Sequence, residues 1–79
     1  MKLQITNIAR NLSEEDFKKL FEKFGPLVES TLVMDPVSGK SKGFGFVTVG
    51  NTLSGQKAIE LLNGRMVNGQ KLKVKVSPT

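Results

Sequence analysis

The sequence predicts an α+β fold in which a four-stranded antiparallel sheet carries two helices on one face. Three observations lead there. Four β-rich runs are bounded by turn formers, two segments between them carry helix caps and helical apolar spacing, and the last run puts three lysines on one face of its strand. The resulting order is β-α-β-β-α-β, expected to form one domain over residues 1–79.

Lys2 to Ile8 alternates, with Leu3 and Ile5 on one face and Gln4 and Thr6 on the other, and the strand ends at Asn7. A helix start follows. Ser13 is the N-cap, Asp16 stands at the capping-box position, and acids fill the first turn against the helix dipole. Leu12 and Phe17 are spaced for a hydrophobic staple. Phe17, Leu20, Phe21 and Phe24 repeat along one buried face, while Glu14–Lys18 and Glu15–Lys19 pair on the outer one. Gly25 and Pro26 stop the helix.

Leu27 to Met34 reads as the second strand, and the loop Asp35 to Ser41, with Lys40 near its end, leads to the third. In Lys42-Gly43-Phe44-Gly45-Phe46-Val47-Thr48-Val49, alternation sets Lys42, Phe44, Phe46 and Thr48 against Gly43, Gly45, Val47 and Val49. The glycines admit a close helix on their side. On this strand alone, either set could be the buried one. Thr52 to Leu62 is a second helix, weakened by Gly55, with Ala58, Ile59 and Leu62 apolar and Asn63-Gly64 as the C-cap. Arg65-Met66-Val67 and the turn Asn68-Gly69 form a small hairpin. Gln70 to Val76 is the last strand and Ser77-Pro78-Thr79 a tail.

The last strand decides the face. Leu72, Val74 and Val76 are expected in the core, so Lys71, Lys73 and Lys75 share the other side, and three lysines are not buried without partners. That side of the sheet is open to water, as antiparallel sheets allow. With Lys42 wet, Phe44 and Phe46 lie on the same open face. The order of elements is the split βαβ, ferredoxin-like sandwich.

Composition removes most chemistry. There is no cysteine and no histidine, so thiol nucleophiles, thiolate metal sites and the commonest general base are absent. No carboxylate pair stands in an apolar setting. No enzyme, metal site or cofactor is expected. Asn7-Ile8-Ala9-Arg10-Asn11 lacks the glycines of a phosphate cradle, and Gly43-Phe44-Gly45 lies inside a strand rather than before a helix, as dinucleotide binding would need. No run approaches the roughly 20 apolar residues of a membrane span, and no signal peptide is apparent. An intracellular protein, nuclear or cytoplasmic, is expected. The net charge is +5, and it is segregated: outside the first helix, nine basic residues stand against three acidic ones. That balance favours an anionic partner.

These residues resemble the RNA-recognition motif family over essentially the whole chain. Lys42 to Val49 is similar to its octamer signature, basic-Gly-aromatic-Gly-aromatic-Val-x-aromatic, in all but the last position, where Val49 stands. Leu3-Gln4-Ile5-Thr6-Asn7-Ile8 resembles the family's hexamer, with Gln4 where a base-stacking aromatic is usual. The resemblance implies that Phe46 stacks a base, Phe44 stacks on or lies against a neighbouring base or ribose, and Lys42 meets a phosphate. Gln4 would then hydrogen-bond a base edge. Thr6, Lys40, Lys71, Lys73 and Lys75 complete the expected interface. The expected ligand is single-stranded RNA, with single-stranded DNA as the alternative, bound by a monomer. With two platform aromatics, binding should span about two to four nucleotides and be weak, about micromolar or weaker, with limited sequence preference. The competing reading is a protein-interaction module of the same fold.

Overall fold

The computed structural model describes residues 1–78; Thr79, the end of the expected tail, lies outside the described residues. Strand β1 spans Lys2–Thr6, helix α1 Glu14–Glu22, β2 Leu27–Met34, β3 Ser41–Val49 and α2 Thr52–Leu62. A hairpin of β4, Met66–Val67, and β5, Gln70–Lys71, precedes β6, Lys73–Val76. The main sheet is antiparallel in the order β2-β3-β1-β6, so sequence-distant β1 and β3 are its centre. The fold is the predicted split βαβ sandwich.

Local chemistry explains where the helices begin. The Ser13 hydroxyl accepts the N–H of Asp16 at 3.1 Å, and the Asn51 side chain accepts that of Ser54 at 2.8 Å. Of the two expected ion pairs on α1, Glu15–Lys19 forms at 3.4 Å; Glu14–Lys18 does not. The core lies between the helices and one face of the sheet. Leu3, Ile5, Val47, Val49, Leu32 and Val74 from the strands meet Phe17 and Phe21 of α1 and Ala58 and Leu62 of α2. Phe24, just past the helix end, is half-buried against them.

The glycines are used in different ways. A Cβ on Gly45 would meet the Thr31 carbonyl oxygen at 2.6 Å and Phe17 Cζ at 3.0 Å, so its bareness lets both β2 and α1 come close. Gly55, a weakness on helix propensity, is buried where a side chain would overlap the Met1 thioether.

Two expectations about the last strand are corrected. Gln70 to Val76 is not one strand: it divides at Leu72. Asn7 turns the backbone to φ 59° and ends β1 at Thr6, so residues before Lys73 find no partner there. They pair instead with Met66–Val67 around an Asn68–Gly69 turn whose φ values, 51° and 83°, suit a two-residue hairpin. Leu72 is fully buried, bonded through its backbone to Gly64 and Arg65. Val76, expected in the core, is 52% exposed, because the helical layer does not cover the outer end of this edge strand. No helix among the described residues is long and apolar enough to cross a membrane.

Candidate nucleic-acid interface

The face opposite the helices is built in rows by strand register. Residues directly opposite one another on antiparallel strands project to the same side. One row reads Thr31, Phe46, Gln4, Lys75 from β2 to β6. The next reads Phe44, Thr6, Lys73, and on the other side Glu29, Thr48, Lys2. Leu3, Ile5, Val47 and Val74, the intervening residues, are all in the core, which fixes this second side as the open one.

Phe44 and Phe46 are half-buried. Their ring centres are 6.4 Å apart at 86°, an edge-on pair in the middle of the sheet. Gln4 lies beside Phe46, and its carboxamide makes no hydrogen bond within the protein among the described residues. Lys73 and Lys75 are exposed along β6. Neither they nor any other lysine of this face forms an ion pair among the described residues; the pair seen there, Glu15–Lys19, belongs to α1. The cations therefore stand on the β1–β6 half of the face, whereas β2 brings Glu29 and Thr31.

Three expected residues stand apart from these rows. Gly43, between exposed Lys42 and half-buried Phe44, has φ 94°, a conformation open to glycine. The buried Ser41 hydroxyl accepts the Gly43 N–H at 2.9 Å, and the Gly43 carbonyl accepts that of Ile8. Lys42 has no partner in the register of β3 with its neighbours, and its charge acts on Asp35 in the loop before it. The Val37 N–H bonded to the Asp35 carboxylate at 2.9 Å is the main reason that its pKa lies below the ordinary value, with Ser38, Lys42 and Arg10 acting in the same direction. Lys40 is exposed in the same loop, and its carbonyl accepts the Asp35 N–H at 2.7 Å. Lys71 belongs to the small hairpin rather than the main sheet, correcting the expectation that it shares a strand face with Lys73 and Lys75. Asn7 nevertheless holds it at the end of the platform, donating its amide N–H to the Lys71 carbonyl at 2.7 Å.

Sequence reasoning passed over residues that belong to this surface. The Lys2 ammonium stands 5.1 Å from the centre of the Phe46 ring. Its signal was available, since Lys2 precedes Gln4 by one alternation. Thr31 is known only through register with Phe46.

A split βαβ sandwich with two aromatics and flanking lysines on its bare sheet face is a platform domain. A family profile described as RNA recognition motif matches residues 3–73. The chain belongs to that family, whose members are RNA-binding domains rather than enzymes. Among solved structures, it is similar to the Rna15 RRM with bound RNA (GU), at 27% identity and a TM-score of 0.92 over 99% of this chain and 83% of that one. It is also similar to the N-terminal RNA binding domain of a hypothetical protein, at 37% identity and 0.91 over 96% and 77%. The RNA binding protein PG1 matches at 30% identity and 0.89 over 100% and 95%.

Proposed function

We propose that this chain binds single-stranded RNA across the open sheet face, as a monomer, through stacking on Phe46 and Phe44 and through lysine–phosphate contacts. The observation that carries this reading is the row Thr31, Phe46, Gln4, Lys75, which sets a ring, a carboxamide and a cation side by side on the face away from the helices, the last two without an internal hydrogen bond or ion pair among the described residues. A base stacked on an aromatic gains roughly 1–3 kcal/mol whatever its identity, because every base has a π-face. Gln4 in place of a third ring trades stacking for two donors and an acceptor that can meet a base edge. Lys73 and Lys75 supply salt-sensitive attraction to phosphate, and Lys42 at the start of β3, with Lys40 in the loop before it and Lys71 in the small hairpin, extends it. The sum is weak binding of about two to four nucleotides, with limited discrimination among bases. Single-stranded DNA offers the same rings and charges, and the RNA bound to the similar Rna15 domain supports RNA as the ligand.

The test is an amide-shift titration with a degenerate single-stranded RNA hexamer at physiological salt, repeated with Phe46→Ala. Shifts confined to β1, β3 and β6 in the native chain, with affinity lowered about 5- to 100-fold in the variant, are expected. A second reading has one observation behind it: Leu53 and Leu61 of α2 are 76% and 54% exposed, an apolar surface on the helical side. Shifts that appear on α2 and survive the Phe46 substitution would favour a protein-interaction role instead.

A further inference from the structure

The ring that the proposed reading assigns to a base is already occupied. Lys2 stands opposite Thr48, two pairs along the ladder from Gln4 and Phe46, and its ammonium lies over the Phe46 ring at 5.1 Å from the centroid. That distance is within the range at which a cation is drawn to the negative face of an aromatic ring. Lys2 is exposed and has no ion pair among the described residues, although Glu29 lies in the same row across Thr48. The partner that the structure gives its ammonium is the ring.

A stacked base and this ammonium exclude one another. Aromatic carbons in contact sit about 3.5–4.0 Å apart, so a base laid on that face takes the space in which the ammonium stands. We propose that Lys2 is a displaceable cover of the Phe46 ring, which occupies the stacking surface in the free protein, yields it to a base, and then carries its charge to a phosphate of the incoming strand. The proposal rests on the sheet being the RNA platform. It gives Lys2 opposite effects on two kinds of ligand. Towards uncharged bases it is a competitor. Towards a phosphodiester strand it exchanges the ring for a phosphate, so that nucleic acid without backbone charge is selected against.

The experiment uses the full chain and two tetranucleotides of the same sequence, one with phosphodiester linkages and one with neutral methylphosphonate linkages. It compares the native chain with Lys2→Thr, which places a β-branched residue opposite Thr48, and with Lys57→Gln, which removes a cation from the exposed side of α2, away from the ring. Lys2→Thr is expected to bind the neutral strand about two- to fivefold more tightly than the native chain. Lys57→Gln should leave that affinity unchanged. With the phosphodiester strand, Lys2→Thr should reduce the slope of log affinity against log salt by about 0.7, one phosphate contact on a single strand. The Lys2 ε-methylene protons should be shifted upfield by the Phe46 ring in the free protein and released when the neutral strand binds. Equal affinity of the native and Lys2→Thr chains for the neutral strand, or Lys2 protons free of any ring shift, overturns the cover while leaving the platform intact. If neither strand moves the amides of β1 and β3 in the native chain, the platform reading falls and the cover falls with it.

Discussion

Asn7 shows how much one residue decides at the edge of this platform. It holds φ 59°, a left-handed backbone that asparagine tolerates better than most side chains, and its amide reaches the Lys71 carbonyl. It thus ends β1, frees residues before Lys73 to form the hairpin, and ties that hairpin back to the sheet. Asn7→Gly keeps the backbone easy and loses the bond, which should cost about 1 kcal/mol. Asn7→Ala loses the bond and adds the strain, for about 1–2 kcal/mol more. Urea unfolding of both variants separates the two contributions, and equal losses would remove the backbone from the account. Phe46→Ala should behave in the opposite manner, lowering RNA affinity strongly while moving the unfolding midpoint little, since the ring is half-buried and outside the core cluster.

At the level of elements, β3 and the loop before it carry the sharpest expectations. Gly45 faces a backbone oxygen that cannot step aside, so Gly45→Ala should destabilise by about 1–3 kcal/mol through overpacking. Gly55→Ala meets the flexible end of Met1 and gains helix propensity of about 1 kcal/mol, so its net effect should be much smaller. Thermal unfolding of the pair checks the contrast. The loop of residues 35–40 should be acid-labile. Asp35 is more acidic in the folded chain than its ordinary value of 3.8, so it contributes stability above that pH and loses it as pH falls through the lowered folded value. The Val37 amide, bonded to that carboxylate, should report a midpoint below 3.8 in a pH titration, and a midpoint above it would mean that the bond is absent in solution.

For the whole molecule, the decisive property is the separation of charge between two sides. The acids Glu14, Glu15, Asp16 and Glu22 sit on α1, while Lys2, Lys73 and Lys75 stand on the opposite face of the sheet without an ion pair among the described residues. A net charge of +5 therefore understates the field that a strand meets at the platform. Three phosphate contacts would weaken binding by about tenfold to twentyfold between 50 and 200 mM salt. Fluorescence anisotropy across that range measures the slope. A flat response would indicate a ligand held by apolar contact, and would turn attention to Leu53 and Leu61 on α2.

The element list and the bare face were legible in the sequence because their causes are local. Ser13 and Asn63-Gly64 mark helix ends by chemistry within a turn, and alternating Lys73 and Lys75 keep one side of a strand wet wherever that strand pairs. The opening run of β3 was legible in part: alternation correctly set Phe44 and Phe46 apart from Gly45 and Val47, but the left-handed backbone of Gly43, φ 94°, could not be read from spacing. The division at Leu72 was hidden, since pairing with β1 or with Met66–Val67 is a competition between distant segments that alternation alone does not weigh. Sequence alone determined which residues could form the face and what chemistry they bring. Only the tertiary structure decided which are neighbours, placing Gln4 between Phe46 and Lys75 and Lys2 over the ring, because strand register is set by contacts between residues far apart in the chain.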